Sequence, residues 1–467
     1  MPEAFSHTRI GADVGGTFTD VISIDDAGRL AFRKVLSTPP EYDRAVVDGI
    51  RALGEGRTVD EVVHATTVAT NAVLERRGAR IALLTTAGFR DVLELRRVRM
   101  PRLYDLFWNK PAPLVPRELR FEVDERMTAS GEVLEPLDED GVRRIAARIR
   151  AADVETVAVC LLHAHRHPAH ERRVGALLAD ALPDVAISLS SEVIREQQEY
   201  ERTAATAVNA YVRPLMERYL RDVRAGMDAL AIDGPLTLMQ SAGGVMDVAD
   251  AAARPVYALE SGPAAGVVAA MRLARDHGVA NAIAFDMGGT TAKASLIEDG
   301  RVAWSREYEV GAALSTGSRL LRGEGELLRV PSLDISEVGA GGGSVAWLDG
   351  AGALHVGPHS AGAAPGPACY GLGGTEPTVT DANVVLGYIP DGPLADGDLT
   401  VSRPAAAEAV DRIAQRLQCD VAEAARGVHE LANAAMMRAL RSVSSEKGRD
   451  PSDFALVAYG GSGPVHA

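Results

Sequence analysis

The sequence predicts an α/β protein made of two halves, each presenting a glycine turn to a shared cleft. Three observations carry this. The stretches GADVGGTFTD at 11–20 and FDMGGTTAKA at 285–294 share an apolar–Asp–apolar–Gly-Gly-Thr core. Strand-like alternation runs into and out of both, so each turn joins two strands. Helical and strand-like segments alternate along the rest of the chain, the pattern of mixed α/β layers. The 467 residues suffice for two or three domains with cores of their own.

The elements follow in order. TRIGADV, FTDVISID and RLAFRKV read as a three-stranded antiparallel meander over 8–34, joined by Gly-Gly-Thr and Asp-Asp-Ala-Gly turns. Residues 41–53 and 66–77 have helical spacing, the second beginning at a Thr66-Thr67 cap after the strand EVVHA. ARIALLTT and VETVAVCLL read as buried strands, and DEDGVRRIAARIRA and HPAHERRVGALLADAL as helices. A long helix with an internal proline covers 199–228, and GPLTLMQSAGGVM is a strand running into a glycine turn. SGPAAGVVAAMRLARDHG is a helix with a glycine-rich start and a glycine stop. NAIAFDMGGTTAKASLIEDGRV then repeats the first hairpin. Residues 339–375 are so rich in Gly and Pro that they form no core by themselves and either wander or line a site. Residues 403–447 are helical, and FALVAYGGSGPVHA is a strand with a third glycine turn. The expected division is an N-terminal domain over 1–200 and a second over 201–467.

Composition excludes some functions. A net charge of −15 and only 4% aromatic residues argue against a nucleic-acid platform. Cys160, Cys369 and Cys419 are odd in number and far apart, as in a reducing cytoplasm. No signal peptide is visible in MPEAFSHTRI, and no run approaches the roughly 18 apolar residues of a membrane span. The expectation is a cytoplasmic protein without membrane or nucleic-acid partners.

The glycine turns are neither a Walker loop nor a dinucleotide loop, both of which open a helix; here strands resume. GAGGGS at 339–344 lacks the third glycine in register. Gly15, Gly16, Gly288 and Gly289 let backbone approach a phosphate closely, and Thr17 and Thr290 offer hydroxyl donors. Asp13 and Asp286 supply the hard oxygens that Mg²⁺ prefers, through water. One such turn per wall suits a cleft that holds one nucleotide from both sides. The hairpins resemble the phosphate loops of the actin-like ATPase superfamily, which implies two ribonuclease-H-like halves around ATP. Gly460, Gly461 and Gly463 of the third turn complete the expected ATP-binding set on the nucleoside side.

A narrower resemblance rests on long motifs. HATTVATNAVLERRGARIALLTTAGFRDVLELRR, MPRLYDL, KPAPLVPRELRFEVDERM, EYERTAATAVNAYVRP, SAGGVM, ESGPAAG, VGAGGGSVAW, VGPHSAGAAPGPACYGLGGTEPTVTDANVVLGYI and YGGSGPVHA run nearly end to end. Together they resemble the hydantoinase A / 5-oxoprolinase family. The resemblance implies an ATP-dependent subunit that phosphorylates the carbonyl oxygen of a cyclic amide (hydantoin, 5-oxoproline or lactam) for ring opening. It implies Asp13, Asp286, Thr17 and Thr290 as the catalytic set, with ATP and Mg²⁺ as cofactors and a B-type partner chain in a hetero-oligomer. Alternatives in the same superfamily are the ATP-hydrolysing subunit of an acetone-type carboxylase, a stand-alone kinase, and a non-catalytic ATP-binding regulator. Chains of the family continue beyond the last motif, so the sequence looks truncated at Ala467.

Other residues carry two readings each. Thr66, Thr67 and Asn71, in a polar set with His64 and Thr70, contact substrate or phosphate, or cap a helix. Ala65 stands where the family has Gly. Glu125 and Arg126 orient substrate or form a surface salt bridge. Lys293 is a cation near the phosphates or a solvated strand residue. His163, His165, His167 and His170 suggest a metal, but the family has His only at the first and last positions, so the middle two read as incidental. Cys369 reads as a nucleophile or, better, as a loop residue packed under the site.

Overall fold

The computed structural model describes residues 7–98, 104–310, 325–394 and 399–467. The motif MPRLYDL therefore falls partly outside the described residues.

Three sheets organise the chain. The first starts with the predicted meander, His7–Val14, Phe18–Asp25 and Leu30–Leu36. Thr58–Thr66 runs parallel to His7–Val14, Leu236–Met239 runs parallel to Thr58–Thr66, and Val245–Asp247 closes the sheet at six strands. Alternation works as expected: Ile10, Ala12 and Val14 point into the core, and Asp13 points to the other face. The helix Tyr42–Gly54 covers the apolar face with Val46, Ile50 and Leu53.

The second sheet is parallel throughout, in the order Ala186–Leu189, Thr156–Cys160, Ile81–Thr86, Arg120–Val123. Its central strands are fully buried, which explains their unbroken apolar runs. The helix Glu199–Ala229 carries Pro214 and is buried continuously from Tyr200 to Val212. It packs against the second sheet and against the helix Tyr42–Gly54 that covers the first, and all join in one apolar core.

The third sheet repeats the start of the first. Ala282–Met287 pairs antiparallel with Ala292–Glu298 and parallel with Ala455–Tyr459, as His7–Val14 does with Phe18–Asp25 and Thr58–Thr66. Arg301–Val302 and Ile335–Val338 both pair with Ala292–Glu298. The helix Ser261–Asp276 packs against the first and third sheets.

Two details differ from the sequence reading. The Gly/Pro-rich stretch at 339–375 contains an ordered hairpin, Ser344–Leu348 with Leu354–Ser360. Ala346 of this hairpin joins a core with the helix Val421–Val443, so the segment does contribute to packing. The helical stretch 403–447 is split into Arg403–Leu417 and Val421–Val443, because Gln418 adopts φ +57° and Asp420 caps the second helix. Among the described residues no helix is long and apolar enough to cross a membrane.

Candidate functional site

Asp13 and Asp286 are each the next-to-last residue of a strand, and a Gly-Gly-Thr turn follows each strand. In the first turn Gly15 N–H donates to Phe18 O at 2.9 Å. Ser37 buttresses it, its hydroxyl donating to Gly15 O (2.8 Å) and its N–H to Thr17 O (3.0 Å). In the second, Gly288 N–H donates to Thr291 O at 3.1 Å. The loop at 339–344 lies on this second turn: Gly342 N–H donates to Gly288 O (3.0 Å) and Gly343 N–H to Gly289 O (2.7 Å).

The two turns face each other. A Cβ placed on Gly289 would stand 2.9 Å from Thr17 Oγ1, so the two hairpins nearly touch at this point. Gly16 and Gly288 differ from it. A Cβ on either would meet nothing within 4 Å, and neither glycine has a positive φ. The protein itself makes no demand for glycine there. Both backbones therefore border open space.

Each Asp has a second close neighbour. The helix Ser261–Asp276 starts beside Asp13, where a Cβ on Gly262 would stand 2.9 Å from Asp13 Oδ1. Ser261 fixes that start, its hydroxyl donating to Thr66 O (2.9 Å) and accepting from Thr66 N–H (3.0 Å). The third glycine turn lies against Asp286. Gly460 has φ +83°, and a Cβ there would stand 2.3 Å from Asp286 Oδ1. Ser462 N–H donates to Met287 O at 2.9 Å, and Gly463 is buried at the start of the last helical turn, Gly463–His466. Gly461, like Gly16, borders open space.

The electrostatics are lopsided. The Asp13 side chain is exposed on one side but otherwise hemmed in by protein. Burial first, then Asp20 and Asp286, push its carboxyl up to about 6, and Lys293 and Lys34 only partly oppose them. Asp286 is raised as well, by burial above all and by Glu337 and Asp20, against the pull of Lys293. Lys293 sits opposite Asp286 in the hairpin register, its Nζ 3.5 Å from Glu260 and 3.6 Å from Glu337. Burial opposes its charge, but Glu337, Glu260 and Asp286 more than offset that and hold the ammonium protonated. Its side chain is only 14% exposed, so it is not a solvated strand residue.

The remaining sequence-predicted residues separate into two groups. Thr66, Thr67 and Asn71 lie beside the first turn. Thr67 sends both its N–H and its hydroxyl to Val14 O, each at 3.1 Å, and does not cap the helix Val68–Leu74 with its side chain. Thr66 Oγ1 accepts from Val68 N–H at 3.1 Å, and Asn71 Nδ2 reaches Thr67 Oγ1 at 3.5 Å. Thr290 adjoins the loop at 339–344, where a Cβ on Gly341 would stand 2.5 Å from its carbonyl carbon. His64 is structural. It donates from Nδ1 to Ala12 O (2.9 Å) and accepts at Nε2 from the Tyr219 hydroxyl (2.7 Å). Burial pulls its pKa down to about 4 and keeps it neutral.

Glu125 and Arg126 belong instead to the end of the parallel sheet. Glu125 is fully buried, which rules out a surface salt bridge. It accepts from the Thr86 hydroxyl and from His170 Nδ1 (2.7 Å), and Thr86 in turn accepts from Leu162 N–H (3.0 Å). Arg126 stacks its guanidinium 5.4 Å from the centre of the Phe89 ring. His167 reaches Ala129 O at 3.2 Å, while the His163 and His165 rings lie 6.5 Å apart. Among the described residues no three His, Cys, Asp or Glu side chains converge to hold a metal directly. Cys369 is buried, and burial with Asp381 pushes its thiol far above the ordinary range, which disfavours the thiolate a nucleophile needs.

Sequence reasoning missed Asp20, Lys34, Glu260 and Glu337. Asp20 was accessible to it: in a hairpin turning at residues 16 and 17, Asp13 and Asp20 are cross-strand partners. Glu260 and Glu337 come from distant segments, and no local signal marks them.

Comparison with known proteins adds the following. Residues 9–182 match the family model described as hydantoinase/oxoprolinase N-terminal region, and residues 202–467 that described as hydantoinase/oxoprolinase. The chain is 39% identical to caprolactamase subunit alpha of Pseudomonas jessenii over 475 residues, covering 98% of this chain and 66% of that one. The crystal structure of the ATP-dependent caprolactamase from that organism superimposes with a TM-score of 0.78. Identity to 5-oxoprolinase 1 of Arabidopsis thaliana is 34%, over 98% of this chain and 39% of that one. Nucleotide-free acetone carboxylase superimposes with a TM-score of 0.85 at 27% identity, over 99% of this chain and 66% of that one. The chain thus spans about two thirds of the length of the bacterial relatives it matches.

Proposed function

The chain belongs to the hydantoinase/oxoprolinase family, and from that premise we propose that it is the ATP-binding subunit of an enzyme that activates a cyclic amide. Its first and third sheets are the cores of two ribonuclease-H-like, actin-like halves, and one nucleotide lies between them. The Gly16 and Gly288 backbones take the phosphates, Thr17 and Thr290 donate to them, and the turn at Gly460, Gly461 and Gly463 faces the nucleoside. The observation that carries the reading is the open space beside Gly16 and Gly288, with Asp13 and Asp286 strained toward protonation around it.

The residues fit a hydrated divalent cation. Two carboxylates are only partly compensated by Lys293 and Lys34, and no direct cage of three acidic, His or Cys ligands surrounds them among the described residues. Mg²⁺ held there through water by Asp13 and Asp286 would supply charge neutralisation at the β- and γ-phosphates. The chain's own contribution is positioning. The facing turns align the terminal phosphate, and the backbone bonds from Gly342 and Gly343 keep the second turn rigid. Phosphorylating the carbonyl oxygen turns a poor electrophile into one with a good leaving group, so ring opening becomes coupled to ATP consumption.

Relatives named as caprolactamase alpha and acetophenone carboxylase gamma subunits motivate a partner chain of the B type in a hetero-oligomer. The higher identity to the caprolactamase subunit favours a lactam or related cyclic amide. Closer superposition on acetone carboxylase supports ketone activation as the second reading. The test is phosphate release by the protein, purified with the chains that accompany it, on a panel of lactams, hydantoins, 5-oxoproline and small ketones. Stimulation by a cyclic amide is expected. Release without response to any carbonyl compound would leave only a nucleotide-binding regulator.

A further inference from the structure

Five carboxylates crowd the cleft: Asp13, Asp20, Asp286, Glu260 and Glu337. Four of them have work assigned by their surroundings. Glu260 and Glu337 flank Lys293. Asp13 and Asp286 end their strands at the two phosphate turns. Asp20 is left over.

Its position is specific. Asp20 is the cross-strand partner of Asp13 on one side and of Lys34 on the other. Lys34 Nζ lies 2.5 Å from its Oδ1. The Asp20 side chain is 57% exposed, the Lys34 side chain 26%, so the carboxylate is both held and reachable. Its register places it on the same face of the first hairpin as Asp13, and its charge raises the carboxyls of both Asp13 and Asp286. Two residues before it, on the same face of the strand, Phe18 lies under the Lys34 ammonium (5.0 Å to the ring centre). The Phe18 ring meets Tyr370 of the Gly/Pro-rich loop edge-on, with centres 6.4 Å apart. One carboxylate, one ammonium and a two-ring apolar wall therefore stand together on the face of the first hairpin that carries Asp13.

The chemistry asks for such a group. If a neutral amide oxygen takes a phosphoryl group while nitrogen keeps its hydrogen, a cation results. Loss of that hydrogen leaves the imidate nitrogen uncharged, next to the anionic phosphoryl group. A ketone has the same need: it loses a hydrogen from the adjacent carbon as its oxygen is phosphorylated, giving an enol phosphate. Both substrates are H–X–C=O units, with X nitrogen or carbon. Resting on the function proposed above, we infer that Asp20 is the proton acceptor for this step, with Lys34 as its positioning partner. The carbonyl oxygen forms a bond to the γ-phosphorus. The bond from that phosphorus to the bridging oxygen breaks, and its electron pair leaves with ADP. The X–H electron pair becomes the X=C double bond, and the proton goes to an Asp20 carboxylate oxygen and thence to solvent. The apolar wall of Phe18 and Tyr370 suits the hydrocarbon part of a small ring or ketone.

The experiment uses the protein as purified from its host and reads carbonyl-dependent phosphate release. The panel pairs each responsive N–H lactam with its N-methyl analogue, and ketones with and without hydrogen on the adjacent carbon. Wild type should respond only to the members that carry the hydrogen. Asp20→Asn should lower the carbonyl-dependent rate by roughly 10²–10⁴-fold, with Asp20→Glu recovering part of it. With an enolisable ketone in heavy water, reversal of the step before the enol phosphate is consumed should let wild type wash deuterium into the recovered ketone, and Asp20→Asn should not. A merely structural role for Asp20 would leave this exchange intact. The inference is overturned if Asp20→Asn stays within threefold of wild type, or if N-methyl lactams are processed as fast as N–H lactams. A wild type that responds to no carbonyl compound at all removes the proposed function, and the inference with it.

Discussion

Replacing Asp13 by Asn removes one negative charge from the cleft and keeps the side-chain shape. In the free protein the loss is a relief. Burial, Asp20 and Asp286 hold the Asp13 carboxyl up to about 6, so at neutral pH the fold carries an ionised group that its surroundings oppose. The melting temperature without nucleotide should therefore stay level or rise. With nucleotide the sign reverses, because the group that was a burden is now half of the proposed cation shell. Loss of one charge-assisted contact in the transition state should cost about 2–4 kcal/mol, or roughly 10²–10³ in rate. Asp286→Asn should behave alike, since Asp286 is raised by the same crowding. The assays are phosphate release at saturating Mg²⁺ and thermal melting with and without Mg²⁺ and ATP. A mutant that turns over near-normally but melts at a lower temperature would show that its Asp is a structural turn residue. The argument from crowded carboxylates would then fail for that wall.

Two further predictions follow from the same geometry. Asp13 ionises near 4 in the unfolded chain and near 6 in the fold, so its contribution to stability without cation is present at low pH and lost as pH rises through that window; Mg²⁺-dependent stabilisation in thermal melts should grow through the same window, and a flat dependence between pH 5 and 7, of order one unit either side of that value, would contradict it. Replacing His165 by Tyr together with His167 by Asn should leave ATP-dependent activity within a few-fold of wild type, since neither joins a metal-holding group among the described residues; loss of a stoichiometric transition metal from the double variant, measured by elemental analysis, would contradict it.

Much of this was legible in the chain because the signals were local. Two Asp-x-Gly-Gly-Thr turns between alternating strands predicted two hairpins, and the first and third sheets each begin with one. Fully apolar runs gave the parallel strands, since both of their faces are buried. The long motifs gave the family, which the matches over 9–182 and 202–467 establish. What the sequence hid was non-local. Lys293 looked like a strand residue facing solvent or phosphate, but Glu260 and Glu337 arrive from other elements and enclose it. Glu125 read as a substrate-orienting group or as half of a surface salt bridge. Thr86 and His170, 39 and 45 residues away, give it a buried polar socket instead. Thr67 read as a substrate or phosphate contact or as a helix cap; its hydroxyl does not cap the helix, because it donates to Val14 O at the end of the first strand.

If a phosphate chain lies against the two facing turns, Gly16→Ala and Gly288→Ala should each obstruct it. At these positions a methyl group meets nothing in the protein and the backbone needs no positive φ. Without ligand each substitution should be neutral or stabilising by about 0.4–1 kcal/mol, because it restricts the unfolded chain. With ligand the same methyl group would occupy the space assigned to phosphate. The measurement is calorimetric titration of each variant with ATP in the presence of Mg²⁺, alongside a thermal melt. The account predicts an unchanged or slightly raised melting temperature and an affinity at least tenfold weaker for both variants, equivalent to about 1.4 kcal/mol. Wild-type affinity in either variant would contradict a phosphate contact at that wall, and wild-type affinity in both would contradict the two-walled cleft.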